Sequence, residues 1–233
     1  AASDVYKRQV KGTQTHCALR TGNWDSGTVL EIEIGTSGKL YGSGGNGGNG
    51  GSANETAGTN GQTGSSALGI EYPCSINNLG IIQSGYGGGG GGGGNTRTTG
   101  GGKKSGATTN GSSGGGGGGG AGLPAGDAGG VQTPLAVGGG SAGSAGQAGS
   151  LSGQASGGAG GSEAGTGGNS SPVNNSASKA NDGGIYSSDG SQQSANGGIG
   201  GSNGYAIITN QGSAPSLSGG GVTGRTITST NPT

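Results

Sequence analysis

The chain has 233 residues, of which 69 are glycine, and ten cationic residues balance ten anionic ones. It contains no Phe, no Met and one Trp, so an ordinary apolar core is excluded. Zero net charge and the lack of interleaved basic and aromatic residues argue against nucleic-acid binding, and no apolar run approaches the roughly 18 residues of a membrane span.

The first 18 residues are predicted to be a non-native or linker-like segment. Residues 1–9 resemble translated read-through and have no apolar stretch typical of a signal peptide, so we leave them out of the fold. Cys17 and Cys74 allow one disulfide, and two free thiols are the alternative. His16 precedes Cys17, but adjacency in sequence does not make a catalytic pair.

Two similar units follow. Residues 28–34 alternate in a way that predicts a half-buried strand, then come a turn at 35–38 and a short strand at 39–41. In the second unit, strands are predicted at 67–72 and 81–83, with 75–79 as their connection. Aligning Gly38 with Gly80 superposes 39–41 on 81–83, and a glycine tract comes next in both units. This shared register argues against a plain linker.

Glycine tracts dominate the middle of the chain, with uninterrupted runs at 87–94 and 114–120. Such runs either stay disordered or form a structure that only glycine can enter, because glycine loses the most backbone entropy on folding. Richness in Gly and Ser without a period favours disorder, whereas the low charge, at 9% of residues, leaves packing of the backbone open. The structure available to them is polyglycine II, a three-residue helix whose N–H and C=O groups all point outward to neighbouring helices.

Short segments of other composition interrupt the tracts and are predicted to be loops that join glycine helices. They are 54–63, 95–99, 103–110, 123–137, 172–182 and 185–196. A third strand region is predicted at 204–209, 222 and 226–228. The expected fold class is all-β or irregular: short β-strands lead into a bundle, or sandwich, of packed polyglycine II helices with exposed connecting loops. The expected parts are a strand attachment region with the first tract at 19–86, the sandwich at 87–203, and a C-terminal strand region at 204–233.

A resemblance to a known protein family rests on three stretches of the chain, GTVLEIEIGTSGKLYGSGGNGGNGG, ALGIEYPCSINNLGIIQSGYGGGGGGGG and GGSNGYAIITNQGS. Together they look like the glycine-rich receptor-recognising tip domain of tailed-phage tail fibres. The C-terminal region of lambdoid central-fibre proteins and the tip adhesin of T-even-like phages are similar to it in their glycine-rich motifs. The resemblance spans about Leu19 to Ile227. It implies a polyglycine II sandwich whose variable loops contact the host receptor.

The resemblance further implies a non-enzymatic protein of the virion, at the distal tip of the tail fibre. Its expected partners are a bacterial outer-membrane protein or lipopolysaccharide and the remainder of the fibre, with a homotrimer formed through the parent fibre. No cofactor or metal is expected, and no catalytic motif is found. The alternative is a structural or ice-binding glycine-rich surface protein. Irregular loop lengths speak against an ice-binding face, and the two strand units speak against a uniform cell-wall repeat.

Candidate receptor contacts are basic, apolar or aromatic residues in the predicted loops. No acidic residue lies between Glu71 and Asp127, whereas three cations do, and arginine suits planar anions. A solvated loop is the alternative reading of these cations, and packing at a scaffold edge is the alternative for the tyrosine. The candidates are Arg97, Lys103, Lys104, Leu123, Pro124 and Tyr186.

Overall fold

The computed structural model describes residues 10–11, 17–52, 56–99, 108–131, 191–194, 196–209, 215–220, 222–223 and 225–228. These residues form short β-strands and extended segments, and none of them is helical. The strands are β1 (Val10–Lys11), β2 (Leu19–Arg20), β3 (Leu30–Ile34), β4 (Lys39–Tyr41), β5 (Leu68–Ile70), β6 (Cys74–Asn78), β7 (Ile81–Gln83), β8 (Asn95–Thr99), β9 (Thr108–Ser112), β10 (Ser191–Ser194), β11 (Tyr205–Thr209), β12 (Ser216–Gly219), β13 (Val222–Thr223) and β14 (Arg225–Thr228). The expected mainly β and irregular class is therefore confirmed.

Three small parallel sheets form a coil. Their strand orders are β14-β11-β5-β2, β12-β6-β3 and β1-β4-β7-β13. The chain visits the three sheets in the same sequence on each pass, as β2-β3-β4, then β5-β6-β7, then β11-β12-β13. Each pass therefore stacks on the previous one, and we call this part the strand coil. The predicted regions 19–86 and 204–233 thus share sheets, and β1 pairs with β4 although it belongs to the segment predicted to be linker-like.

The coil has a small apolar core, although the lack of Phe and Met argued against an ordinary one, because Leu and Ile residues supply it. Leu30, Ile32 and Ile34 point inward from β3, whereas Glu31 and Glu33 between them are exposed. The core collects apolar residues from all three sheets, with Leu68, Ile70 and Ile82 fully buried. This alternation is the pattern of strands that cover a core on one face and meet water on the other.

The predicted register of the two strand units is confirmed. Lys39 pairs with Ile81, Leu40 with Ile82 and Tyr41 with Gln83. Gly80 lies directly against the Gly38 carbonyl, so that a Cβ at Gly80 would overlap it. The Ile81 amide donates to the same carbonyl, at 3.0 Å. The prediction missed β6, which pairs with β3 where only a connection was expected.

Six extended segments lie beside the coil and hydrogen-bond to one another. They are G1 (42–52), G2 (56–66), G3 (84–94), G4 (113–121), G5 (124–130) and G6 (196–204), and together we call them the glycine array. Backbone bonds place them in two rows, G6-G3-G4 and G2-G1-G5, with further bonds between the rows. Each series of bonds recurs every third residue: Gly45, Gly48 and Gly51 donate to Tyr86, Gly89 and Gly92, at 2.8 Å each.

Gly48 illustrates why the array requires glycine. Its amide donates to the Gly89 carbonyl in G3 at 2.8 Å, and its carbonyl accepts from the Gly117 amide in G4 at 2.7 Å. A Cβ at this position would overlap the Thr59 carbonyl oxygen in G2. Gly48 has no positive φ, so glycine is needed here for close approach rather than for an unusual backbone conformation.

Several predicted loops are ordered elements instead. Residues 56–63 belong to G2, whose amides bond to G1 and G6. The predicted loops at 95–99, 103–110 and 185–196 contain all or part of β8, β9 and β10, which form an antiparallel sheet. The part of 123–137 that is described mostly forms G5, and 172–182 lies outside the described residues. The physical reason is the same in each case: the backbone groups of these segments find partners in neighbouring segments.

Candidate functional site

The glycine array has two different ends. G1 and G3 begin directly after β4 and β7 and run away from the strand coil, whereas G2 and G6 run back into β5 and β11. G5 runs parallel to G1, and G4 runs antiparallel to it. One end of the array therefore adjoins the coil. The other end, which we call the distal end, carries the described residues 50–52, 56–58, 92–99, 108–116, 129–131, 191–194 and 196–198.

A three-stranded antiparallel sheet, which we call the distal sheet, continues the array at the distal end. β8 follows G3 directly, β9 leads into G4, and β10 precedes G6. The strand order is β10-β8-β9, and Arg97 on the central strand is in register with Asn110 on one side and Gln192 on the other. Arg97 was predicted in a loop, and it lies in a strand because both edges of β8 are paired.

Two other basic candidates lie in the chain segment that connects β8 to β9. Thr99 at the end of β8 is in register with Thr108 at the start of β9. Residues 100–107, with Lys103 and Lys104, connect these two positions in the chain and lie outside the described residues, as does Tyr186. The described part of the site is thus the distal sheet with Arg97 in its central row.

Leu123 and Pro124 lie at the opposite end, next to the coil. The Leu123 amide donates to the Gly42 carbonyl at 3.0 Å, and the Pro124 carbonyl accepts from the Gly44 amide at 2.9 Å. Gly42 directly follows β4, so this turn adjoins the coil. These two residues were predicted to contact a receptor from the loop 123–137, and that stays a prediction. In the structure Pro124 is exposed and Leu123 half-buried, and the two close the turn between G4 and G5, at the end of the array opposite to Arg97.

Four asparagine side chains in the array were not singled out in the sequence. Asn46 and Asn49 use their Oδ1 atoms to accept the Asp127 and Gly130 amides, at 2.8 Å each. Asn60 Oδ1 accepts the Ile199 amide at 2.8 Å, and Asn203 Oδ1 accepts the Gly87 amide at 3.0 Å. Each side-chain amide stands in for a backbone carbonyl. The signal that could have revealed the first two is the triplet GGN, repeated at 44–46 and 47–49.

Both cysteines are free, and each side chain is buried. Burial raises the pKa of both thiols, and at Cys17 the nearby Arg20 opposes this shift. The sequence allowed either a disulfide or two free thiols, and the structure has two free thiols. Their raised pKa keeps them protonated and poorly nucleophilic at neutral pH.

A groove lies on the coil, and none of the predicted receptor contacts lines it. It has a volume of about 450 Å³ and is lined by β3, β6 and β12, with Glu31, Glu33 and Asn77 among its polar residues. Among the described residues, no three or more His, Cys, Asp or Glu side chains are grouped to hold a metal ion. None of the described residues belongs to a helix long and apolar enough to cross a membrane.

Comparison of the chain with protein-family models, with curated proteins and with solved structures found no match in any of the three.

Proposed function

We propose that the six segments of the glycine array are polyglycine II helices packed as a two-layered sandwich. The three-residue repeat of the bonds supports this, because a three-residue helix presents the same side to a neighbour at every third position. The glycines support it too, since a Cβ at Gly88, Gly117 or Gly201 would overlap a carbonyl of an adjacent segment. Amides at 87–94 should then resist hydrogen exchange, and exchange at random-coil rates would refute the sandwich.

We further propose that the protein is a tail-fibre adhesin that recognises a receptor on the surface of a Gram-negative bacterium. The observation that carries the proposal is the separation of the two ends of the array. The coil end is bonded to the strands, and the distal end carries a polar sheet with an arginine in its central row. At the rise of a polyglycine II helix, the nine steps along the chain from Tyr86 to Asn95 would separate the two ends by roughly 28 Å.

The mechanism is reversible attachment by a pre-organised surface. Because each inner segment is bonded to several neighbours, little conformational entropy remains to be lost when the distal end meets a receptor. Display of several copies on one virion raises the avidity of weak individual contacts. No covalent chemistry is involved, and none of the described side chains is required as a nucleophile.

The test compares the two ends of the array. The fluorescently labelled chain is added to a collection of Gram-negative strains that spans the main lipopolysaccharide core types, and bound fluorescence is measured. We expect binding to a subset of strains, and we expect it to be lost when residues 100–107 are replaced by a Gly/Ser segment of equal length.

The matched control replaces the exposed coil loop 22–27 in the same way, keeping Gly22 and Gly27 because of their positive φ of 69° and 87°. This control should retain binding. Absence of binding to every strain, or equal binding by both replacements, would overturn the proposal. Thermal hysteresis of ice growth in the same samples would instead support the ice-binding alternative.

A further inference from the structure

The outer side of β3 is an open sheet edge. In the sheet β12-β6-β3, the middle strand β6 has a partner on each side, whereas β3 has a partner on one side only among the described residues. Each strand of this sheet is separated from the glycine array by a strand of another sheet along the chain. The edge therefore belongs to a different part of the molecule from the distal end.

The outward backbone groups of this edge belong to two glutamates. The Leu79 amide donates to the Ile34 carbonyl at 2.7 Å, so the Ile34 backbone faces β6. In a parallel ladder, both groups of every second residue face the same neighbour, and those of the residues between face the other side. The N–H and C=O groups of Glu31 and Glu33 therefore face outward, where no described residue pairs with them. Such a row of donors and acceptors is a template for a further strand.

The apolar row inside this edge is incompletely covered. Ile76 on the middle strand is 1% exposed, whereas Ile32, its partner in register on β3, is half-buried. Leu30 on β3 is half-buried as well. A strand added to β3 would cover these two side chains as β3 covers Ile76, so the residues facing them would have to be apolar.

The coil already has an added strand at the same level. β1 is only two residues long and pairs in parallel with β4, with Val10 in register with Leu40. β3 and β4 belong to the same pass of the coil, and Leu40, next to β1, is 4% exposed. Parallel addition of a strand to β3 would continue this arrangement into the neighbouring sheet.

The charges beside the edge favour a basic segment. Glu31 and Glu33 are exposed on the outer face of the sheet, and their partners in register on β6, Ser75 and Asn77, are uncharged. The other charged side chains described on the coil are Arg20 and Glu71, which pair with each other, Asp25 and Lys39. The side chains of Asp4, Lys7, Arg8, Lys11 and Arg225 lie outside the described residues. The described charges around β3 are therefore mainly negative.

We propose that the β3 edge binds an extended segment of another protein by parallel strand addition, and that this segment alternates apolar and basic residues. Its apolar side chains lie against Leu30 and Ile32. Its Lys or Arg side chains lie beside Glu31 and Glu33, where opposite charges on adjacent strands attract each other. Main-chain bonds supply the affinity, and the alternation supplies the specificity. This partner and this surface are additional to those of the adhesin function.

The experiment measures the fluorescence anisotropy of a labelled nine-residue peptide, in which Ile and Lys alternate, as the whole chain is added. We expect saturable binding. A peptide that alternates Ile and Glu should bind at least tenfold more weakly, because its carboxylates meet Glu31 and Glu33. A peptide that alternates Ser and Lys should also bind at least tenfold more weakly, because it leaves Leu30 and Ile32 uncovered.

Two methylated forms of the Ile/Lys peptide test strand addition itself. The outward groups of Glu31 and Glu33 reach the peptide residues on either side of the one in register with them, and these are Ile residues. N-methylation of the Ile residues should therefore weaken binding tenfold or more, at roughly threefold or more for each bond lost. N-methylation of the Lys residues, whose amides face away from β3, should leave binding nearly unchanged.

A charge reversal tests the position of the peptide. Glu33→Lys should weaken binding of the Ile/Lys peptide about fivefold and strengthen binding of the Ile/Glu peptide. The matched control is Asp127→Lys, which makes the same change of charge at an exposed position of the array and should alter neither. Circular dichroism establishes that both variants are folded, and the methylated peptides need no variant.

Equal binding of the two methylated peptides, or an Ile/Lys affinity that Glu33→Lys leaves unchanged, would refute strand addition at β3. Absence of binding by the Ile/Lys peptide would refute it too, and would indicate that the two glutamates keep the edge unpaired. Binding that appears only in the double variant Lys7→Gln/Arg8→Gln would contradict it by showing that the N-terminal segment of the chain is the occupant. None of these results bears on the adhesin function, because no bacterial cell is used.

Discussion

The strand coil and the glycine array exclude water in different ways. In the coil, Leu68, Ile70 and Ile82 are fully buried, and the alternation of each strand decides which side chains meet the core. In the array, residues 87–94 are just as buried, yet they have no side chains, and backbone carbonyls and amides of adjacent segments fill the interior. Side chains therefore fill the interior of the coil, whereas in the array a Cβ at an inner glycine such as Gly48 or Gly117 would overlap a backbone carbonyl.

The offset in residue number between hydrogen-bonded partners is nevertheless the same in the coil and in the array. Gly42 donates to Gln83 at the end of the coil at 2.9 Å, and Gly45, Gly48 and Gly51 continue the same offset to G3. G2 and G6 show the same continuity, because Gly64 donates to Ser202 and Ala67 to Tyr205, at 2.9 Å each. Stacking of the coil therefore sets which glycines face each other in the array, and loss of either region should weaken the other.

The largest expected effect comes from filling the interior of the array. Gly48→Ala should cost about 4 kcal/mol or more, because its Cβ would overlap the Thr59 carbonyl and relief requires two bonded segments to separate. Gly129→Ala should cost less, since G5 lies at the end of its row among the described segments, although its Cβ would overlap the Gly48 carbonyl. Urea denaturation measures both.

Gly130→Ala is the matched control for this series. Its Cβ would meet only the Asn49 Oδ1 atom, at 3.4 Å, so we expect a change within about 0.5 kcal/mol. A comparable loss of stability in Gly130→Ala and Gly129→Ala would contradict the view that close approach explains the glycines.

The next effect concerns the apolar core of the coil. Leu68→Ala should cost about 2–5 kcal/mol, because it removes a fully buried side chain and leaves a cavity. Leu79→Ala, at a site that is 53% exposed, should cost much less. Hydrogen exchange at 87–94 should accelerate in Leu68→Ala as well. Unchanged protection there would show that the array holds together without the coil.

A smaller effect is expected from the asparagine acceptors. Asn49→Ala removes the partner of the Gly130 amide at an exposed position where water can replace it, so a loss of about 1 kcal/mol is expected. Asn49→Asp keeps an oxygen acceptor and should retain most of the stability. The comparison is made by thermal melting, and equal losses in both variants would argue against a role for the side-chain oxygen.

The smallest effect involves the buried thiols. Because burial raises the pKa of Cys17 and Cys74, the folded state favours the protonated thiols. Their contribution to stability is therefore fully present below the ordinary thiol pKa of about 8.5 and is lost as the pH rises through the folded value. Alkylation by iodoacetamide between pH 7 and 10 should follow a profile displaced to higher pH than in urea-unfolded protein. Coincident profiles would mean that the thiols are accessible.

Some elements could be predicted because they depend on local patterns. The alternation of 30–34 identified β3, and the equal spacing of Gly38 and Gly80 from the following tracts identified the stacking of β4 on β7. β6 was missed because Asn78 occupies a buried position in its alternation, where its Oδ1 atom accepts the Gly80 amide at 3.1 Å. A polar residue whose bonds are satisfied internally is indistinguishable in sequence from a loop residue.

The candidate site was predictable only in part. The absence of acidic residues around Arg97 was visible in the sequence, whereas its pairing with Asn110 and Gln192 was not, because TRTT and TTNGS have no apolar alternation. Leu123 and Pro124 were assigned to an exposed loop because they interrupt a glycine tract, and only the chain path shows that they turn at the coil end.

By itself, the sequence determined where backbones approach closely, since only glycine fits at such positions, and it set the offset between the two strand units. The tertiary structure decided which segments are neighbours and which residues meet at the distal end. The physical reason is that backbone amides and carbonyls are chemically alike in every segment, so a glycine tract does not encode its partner locally. The stacking of the coil and the path of the chain make that choice.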